Sequence, residues 1–178
     1  MFDGPPTVRP ARLDDIARIQ EIYGHFVEGS LASFELTAPP VEEIRSRFEA
    51  ITGKGFPYLV AEIEGRVAGF AYANTYRTRA AYDHTVEDSV YVAFDMRGRG
   101  IGHSLMSALI EISAEQGYRQ MVAVIGDSAN HASIKFHTAL GFSRVGLLPS
   151  VGFKHGRWVD SVIMQRALGP GDALPPKS

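Results

Sequence analysis

Between Ser89 and Ser104 the chain reads S-V-Y-V-A-F-D-M-R-G-R-G-I-G-H-S. An apolar alternating segment (Val90, Tyr91, Val92) passes through a short turn into glycines at every second position, Gly98, Gly100 and Gly102. An amphipathic helical pattern starts at once. A strand, a glycine-rich turn and a helix N-terminus in direct succession make an anion site. Glycine lets the backbone approach a ligand and take up positive φ, and the unpaired N–H groups of the first helical turn point outward. Arg97 and Arg99 add positive charge at the same place. The stretch predicts a ligand that carries phosphate.

The rest of the composition narrows the choice mainly by exclusion. A length of 178 residues fits one domain with a real hydrophobic core, and 45% hydrophobic with 21% charged residues is ordinary for a globular protein. A net charge of −2 gives no reason to expect nucleic acid or an anionic membrane as partner. The chain has no cysteine, which removes disulfides, thiolate metal sites and a cysteine acyl-enzyme. No apolar run approaches a membrane span, and M-F-D-G-P-P-T lacks the basic-then-apolar order of a secretory signal. A cytoplasmic location is the default expectation.

Read in order, residues 1–6 are a lead-in and Thr7–Pro10 a short edge strand. From Leu13, Ile16, Ile19, Ile22, Tyr23 and Phe26 recur at helical steps, with Asp14 and Asp15 supplying negative charge at the start and Gly29 past the end. Ser30–Pro40 is irregular and carries Phe34. Pro40 opens a second helix with Val41, Ile44 and Phe48 on one face, ending at Gly53. Tyr58–Ile63 and Val67–Tyr76 read as strands joined by Glu64-Gly65, and Thr85–Val92 as a third. A helix over Gly100–Gln116 should turn Ile101, Leu105, Ala108, Leu109 and Ile112 inward. Gln120–Ile125 is a buried strand, Asn130–Leu140 a fourth helix closed by Gly141. Strands near Ser143–Phe153 and Arg157–Ala167 meet at His155-Gly156. The proline-rich segment from Gly169 reads as a disordered tail. One domain over 7–168, an α/β mixed sheet with helices on both faces, is expected.

Three phosphate motifs compete at Arg97–Ser104. A P-loop needs Lys and Ser/Thr after its last glycine, but His103 and Ser104 follow Gly102. The dinucleotide fingerprint lacks its third glycine spacing and its acidic residue about twenty positions on. Arg/Gln-x-x-Gly-x-Gly/Ala is met by Arg97, Gly100 and Gly102, although a purely structural glycine turn satisfies it too.

With these residues in place, the chain resembles the GNAT N-acetyltransferases, whose pyrophosphate motif has this spacing between a strand and a helix. Asn130 and A-L-G-F (Ala139–Phe142) resemble that family's second cofactor motif. Y-D-H-T-V-E-D-S-V-Y-V (Tyr82–Val92), V-A-V-I-G-D-S (Val122–Ser128) and V-G-F-K-H-G-R-W-V-D (Val151–Asp160) resemble its phosphinothricin and methionine-sulfoximine subgroup. The likeness covers roughly residues 7–168. It implies a mostly antiparallel sheet of about seven strands with one splayed pair, acetyl-CoA as donor, and a homodimer. The amides of Gly98, Arg99, Gly100, Ile101, Gly102 and His103 would hold the pyrophosphate, and the edge of Val90–Val92 would pair with pantetheine as a surrogate strand. Asn130 would bond the pantetheine arm, cap its helix, or both.

Acetyl transfer to an amine needs a neutral amine, a stabilised oxyanion and a thiolate that receives a proton. Glu87 matches the subgroup's catalytic base; its plain alternative is an exposed strand carboxylate. Asp88 is the neighbour to rule out, because alternate strand residues face opposite ways. His137, four residues before Gly141, stands where many relatives carry a proton-donating tyrosine and where this subgroup has histidine. A helix histidine with a structural partner is the alternative. A backbone N–H near Val92 would meet the oxyanion. By the same resemblance Arg77 and Arg79 could hold an acceptor carboxylate, with Phe34 and Tyr82 walling an apolar pocket. Trp158, the only tryptophan, defaults to a core or interface residue. His131 and His137 point to different helix faces, so no metal is expected.

The expected function is acetylation of the α-amine of a small amino-acid-like substrate such as methionine sulfone, methionine sulfoximine or phosphinothricin, by direct attack in a ternary complex. Acetylation of a protein N-terminus or lysine, and a non-catalytic acyl-CoA sensor, are the rivals.

Overall fold

The computed structural model describes residues 4–176. Runs rich in β-branched and aromatic residues form strands β1 (Thr7–Pro10), β2 (Tyr58–Ile63), β3 (Arg66–Thr75), β4 (Thr85–Val92), β5 (Gln120–Gly126), β6 (Ser143–Lys154) and β7 (Arg157–Ala167). Helical periodicity gives α1 (Ile16–Gly29), α2 (Val41–Gly53), α3 (Ile101–Glu115) and α4 (His131–Ala139). The strands form one seven-stranded sheet in the order β1-β2-β3-β4-β5-β7-β6. Every pairing is antiparallel except β4 with β5. This is the mixed sheet with helices on both faces that the sequence pattern predicts, mostly antiparallel as the family resemblance implies.

The parallel pair is short. Its ladder joins Thr85, Val86 and Glu87 to Gln120, Met121 and Val122, although β4 continues to Val92 and β5 to Gly126. Beyond Glu87 the two strands part, and a slot opens in the middle of the sheet.

Strand alternation divides β4 between the two faces. Asp88, Val90 and Val92 lie opposite Ala73, Ala71 and Gly69 of β3, while Glu87, Ser89 and Tyr91 lie opposite Asn74, Tyr72 and Phe70. Helix α3 covers the first face so closely that a Cβ on Gly69 would stand 3.2 Å from side-chain carbons of both Ile101 and Leu105. Helix α1 covers the second, with Tyr23 and Phe26 each placing a ring 5.1 Å from that of Tyr91. Ile16, Ile19 and Ile22 of α1, Ile44 and Ile51 of α2, and Leu105 and Leu109 of α3 are buried against the sheet. Each such side chain contributes about 1.5–3 kcal/mol by leaving water.

Three details differ from expectation, and a fourth decides between two alternatives. The first helix is preceded by a 3-10 turn over Leu13–Asp15. Asp15 does more there than bias a helix end: it pairs with Arg9 at 2.8 Å and accepts the Arg12 N–H at 2.7 Å. On α3 the core takes Met106 and Ile110 in full, and Ala108 and Ile112 are only half-buried, because the contact stripe runs down the Leu105–Leu109–Ser113 line. The segment after Leu168 is tied down as far as Pro175, since Arg119 donates to the Gly171 and Pro175 carbonyls. Trp158 is 64% exposed, which removes the core alternative and leaves the interface one. It lies beside Phe153 on the β6–β7 hairpin, where Val145, Leu147, Leu148 and Val151 are exposed as well.

Candidate active site

A cavity of about 960 Å³ occupies the slot between β4 and β5. It is bounded by β4 from Glu87 to Val92, the glycine turn, β5 from Ala123 to Gly126, the first two turns of α4, and the Ser30–Phe34 loop. The Ala93 N–H donates to the Ala68 carbonyl across β3–β4. Alternation from that bond directs the N–H groups of Val90 and Val92 away from β3, toward the side where β5 has diverged. An edge strand inside a sheet is thereby left with backbone groups for an extended ligand and for an oxyanion.

The glycine turn is built as an anion cradle. Gly98 and Gly100 have φ of +78° and +74°, in the left-handed region where a Cβ is strained. Gly100 is the N-cap of α3, and no side chain caps the helix, so the first-turn amides are not consumed by a cap. A Cβ on Gly102 would meet the Phe136 ring at 3.3 Å, so α3 and α4 meet tightly at this glycine. Ile101 is core by its side chain and can serve a ligand only through its backbone. His103 lines the cavity, with its Nδ1 3.3 Å from Ser107 Oγ. The Arg97 guanidinium lies 3.8 Å above the Phe94 ring, and partial burial lowers its pKa. Arg99 does not line the cavity. Left-handed glycines, uncapped amides and a guanidinium stacked on Phe94 fit a pyrophosphate-bearing ligand.

Glu87 and Asp88 both border the slot, from opposite faces of β4. Glu87 is half-buried, and burial, reinforced by the Asp88 charge and opposed by Arg77, raises its pKa to about 7. At neutral pH it is close to equally protonated and ionised, which suits proton exchange with an amine.

Asp88 and His137 form a buried pair, with Nε2 3.2 Å from Oδ2. On the other side of the ring, Nδ1 is 2.8 Å from the Ser133 carbonyl, which can only accept. Nδ1 therefore carries a proton, and a second proton must lie between Nε2 and Asp88. The pair is either imidazolium–carboxylate or imidazole–carboxylic acid, and in both forms it holds one proton more than neutral imidazole beside a carboxylate. Burial raises the Asp88 pKa against the opposing effect of His137. Burial alone would lower that of His137, but the Asp88 hydrogen bond and charge outweigh it and leave it raised. Both directions favour retention of the shared proton. Asp88 Oδ1 is buried without a hydrogen-bond partner among the described residues.

The Asn130 Oδ1 accepts the Ser133 N–H at 3.2 Å, so it is the N-cap of α4, and the residue also lines the cavity. The cap uses only the amide oxygen. Phe34 borders the cavity at the far end of β5. Arg77, Arg79 and Tyr82 do not border it: all three are exposed on the loop before β4. Arg77 and Tyr82 instead flank Tyr76, the guanidinium 5.2 Å from its ring centroid and the Tyr82 ring 5.7 Å away.

Sequence reasoning named Asp88 only as the neighbour of Glu87 to rule out, and it did not single out Ser133, yet both engage His137. Asp88 lies 49 positions from His137, and no spacing rule joins a strand to a helix across that interval. Among the described residues no His/Cys/Asp/Glu cluster can hold a metal ion, and no helix is long and apolar enough to cross a membrane.

Comparison with known proteins gives a consistent result. The Acetyltransferase (GNAT) domain family matches residues 8–163. A phosphinothricin N-acetyltransferase of Alcaligenes faecalis is 48% identical over 171 residues, covering 96% of this chain and 87% of the relative. An L-methionine sulfoximine/L-methionine sulfone acetyltransferase of Pseudomonas aeruginosa is 39% identical over 170 residues, covering 95% and 98%. Among solved structures, a GNAT superfamily phosphinothricin acetyltransferase from Sinorhizobium meliloti in complex with AcCoA superimposes with a TM-score of 0.95 at 46% identity, covering 98% of this chain and 95% of that one.

Proposed function

The chain belongs to the GNAT acetyltransferases, and from that premise we propose that it acetylates the α-amine of small amino-acid-like acceptors of the phosphinothricin and methionine sulfone or sulfoximine type. It is an N-acetyltransferase that uses acetyl-CoA, and the glycine cradle and slot described above fit that donor. When bound, acetyl-CoA supplies an activated acetyl thioester.

The observation that carries the reading is Glu87, a carboxylate with pKa raised to about 7 at the apex of the slot. An ammonium has no lone pair with which to attack, and Glu87 in its ionised form takes the proton from it, directly or through a water. Gly98–His103 hold phosphate through backbone amides, and the N–H groups of Val90 and Val92 meet the pantetheine arm and the developing oxyanion. Asn130 contributes to the same arm with its amide nitrogen. On the opposite face of β4 the Asp88–His137 pair stores the proton that the departing sulfur needs. His137 acts as acid only together with Asp88, because neither ring nitrogen faces the slot unengaged. Phe34 walls the acceptor end. Arg77 or Arg79 serves as carboxylate clamp only if the exposed loop before β4 folds inward around an acceptor.

The exposed apolar side chains of the β6–β7 hairpin, on the open edge of the sheet, are the surface through which two copies associate as a homodimer. Sedimentation of a Trp158→Asp variant is expected to show a monomer where the unmodified chain shows a dimer. A location in the cytoplasm accords with acetyl-CoA as donor.

The test of function is release of free thiol from acetyl-CoA with a panel of acceptors. Turnover is expected with methionine sulfone and phosphinothricin and to be absent with peptides. Turnover on peptides alone would overturn the reading.

A further inference from the structure

We infer that Gly152, Gly126 and Lys154 are specificity-determining residues: they fix the α1–α2 loop so that Phe34 stands as a rigid wall limiting the length of the acceptor. The inference rests on the small-amine reading above. A Cβ on Gly152 would stand 2.0 Å from Phe34 Cε1 and 2.2 Å from Cδ1. A Cβ on Gly126 would stand 3.2 Å from Phe34 Cε2 and 2.2 Å from the Leu31 carbonyl oxygen. Neither glycine has the left-handed φ that would by itself call for glycine. Both lack a side chain because the loop and its ring occupy that space.

Lys154 completes the seat. It is 2% exposed, and its Nζ donates to the Val27 carbonyl at 2.6 Å and the Ser33 carbonyl at 2.7 Å, at the end of α1 and inside the loop. The loop is held from the other sides too. Tyr23 of α1 shares a hydrogen bond with Ser33 and donates to Glu35, and Arg47 of α2 pairs with Glu35 at 2.6 Å. A segment without regular structure is thereby anchored to α1, α2 and β6. It is a fixed part of the wall and no lid.

The register sets the scale. Glu87 pairs with Val122, and Gly126 lies four residues further along β5, which at about 3.3 Å per residue places the Phe34 seat about 13 Å from the base. Between them Val124 is 40% exposed on the same face. That span accommodates a small amino acid. Phe34 itself is 39% exposed, so a displaced ring has solvent to move into.

The experiment compares the unmodified enzyme with Gly152→Ala. The ratio of kcat/KM for an aromatic α-amino acid to that for methionine sulfone is expected to rise at least about tenfold in the variant, the range over which hydrophobic pockets discriminate by size. KM for acetyl-CoA should stay within about twofold. A second variant, Lys154→Met, should move the ratio in the same direction. In parallel, 4-fluorophenylalanine is incorporated at position 34, and its fluorine resonance is expected to become more accessible to a soluble paramagnetic agent in Gly152→Ala. An unchanged acceptor ratio, or an unmoved fluorine signal, overturns the inference while leaving the small-amine reading intact. Failure of the unmodified enzyme to acetylate any free amino acid overturns that reading, and the length gauge with it.

Discussion

Glu87 and Asp88 are adjacent carboxylates on one strand, yet the sheet gives them opposite surroundings. Glu87 lies on the α1 face, half-buried, with no ion-pair partner among the described residues and a pKa raised to about 7. Asp88 lies on the α3 face, buried and locked to His137. One carboxylate has a pKa raised to about 7 by burial; the other shares a proton with an imidazole. Two side chains one peptide apart meet different dielectric surroundings because a strand sends them to different sides of a layer. The slot at the β4–β5 divergence brings both faces back to one cavity.

The largest expected effect breaks the Glu87 side. Glu87→Gln should lower kcat by about 10²-fold or more while acetyl-CoA binding, followed by calorimetry, is unchanged. If the variant keeps wild-type turnover, the base is elsewhere.

Next comes the Asp88 side. His137→Ala leaves a buried carboxylate without its partner and should cost about 3–5 kcal/mol in urea unfolding. Removing both partners in Asp88→Ala/His137→Ala should recover part of that loss, and strict additivity would show that the pair is not coupled.

The pH dependence separates the two carboxylates more finely. Glu87 must be ionised to accept a proton, so kcat/KM should rise with pH through about 7. The pair must keep its proton, so activity should fall only at a pH above the ordinary histidine value, because the His137 pKa is raised. Asp88→Asn removes the group that holds the shared proton and should move this alkaline limb to lower pH; a limb that stays put would remove the pair from the mechanism.

A smaller effect lies in the cradle. Gly100→Ala forces a Cβ into left-handed backbone at the start of α3, at a cost of about 1 kcal/mol. KM for acetyl-CoA should rise severalfold in steady-state kinetics, with kcat little changed.

Stability responds to the same carboxylate separately from turnover. Glu87 has a folded pKa above its unfolded value of 4.5, so the folded state binds the extra proton and stability declines as pH rises from about 4.5 to 7. Glu87→Gln should therefore raise Tm at pH 8 and leave it unchanged at pH 4 and below, as read by thermal unfolding.

The sequence alone determined the strand–glycine–helix cradle, because its requirements are local: positive φ at Gly98 and Gly100 and open amides on the next turn are set by residues in direct succession. It determined the order of strands and helices for the same reason, since periods of 2.0 and 3.6 are written in neighbouring positions. That Glu87 and Asp88 face opposite ways also follows from period two. The tertiary structure alone decided what each of them meets. His137 finds Asp88 through the packing of α4 on β4, and that contact turned a free imidazole into a pair with both nitrogens engaged. The exposure of Trp158, the burial of Lys154 and the seat of Phe34 between Gly126 and Gly152 are set by strands far apart in sequence. Arg77, Arg79 and Tyr82 show the converse: a loop position near Glu87 in sequence does not bring a side chain to the slot. Local geometry is fixed by short-range sterics, but burial, and with it the raised pKa of Glu87, depends on which distant surface arrives.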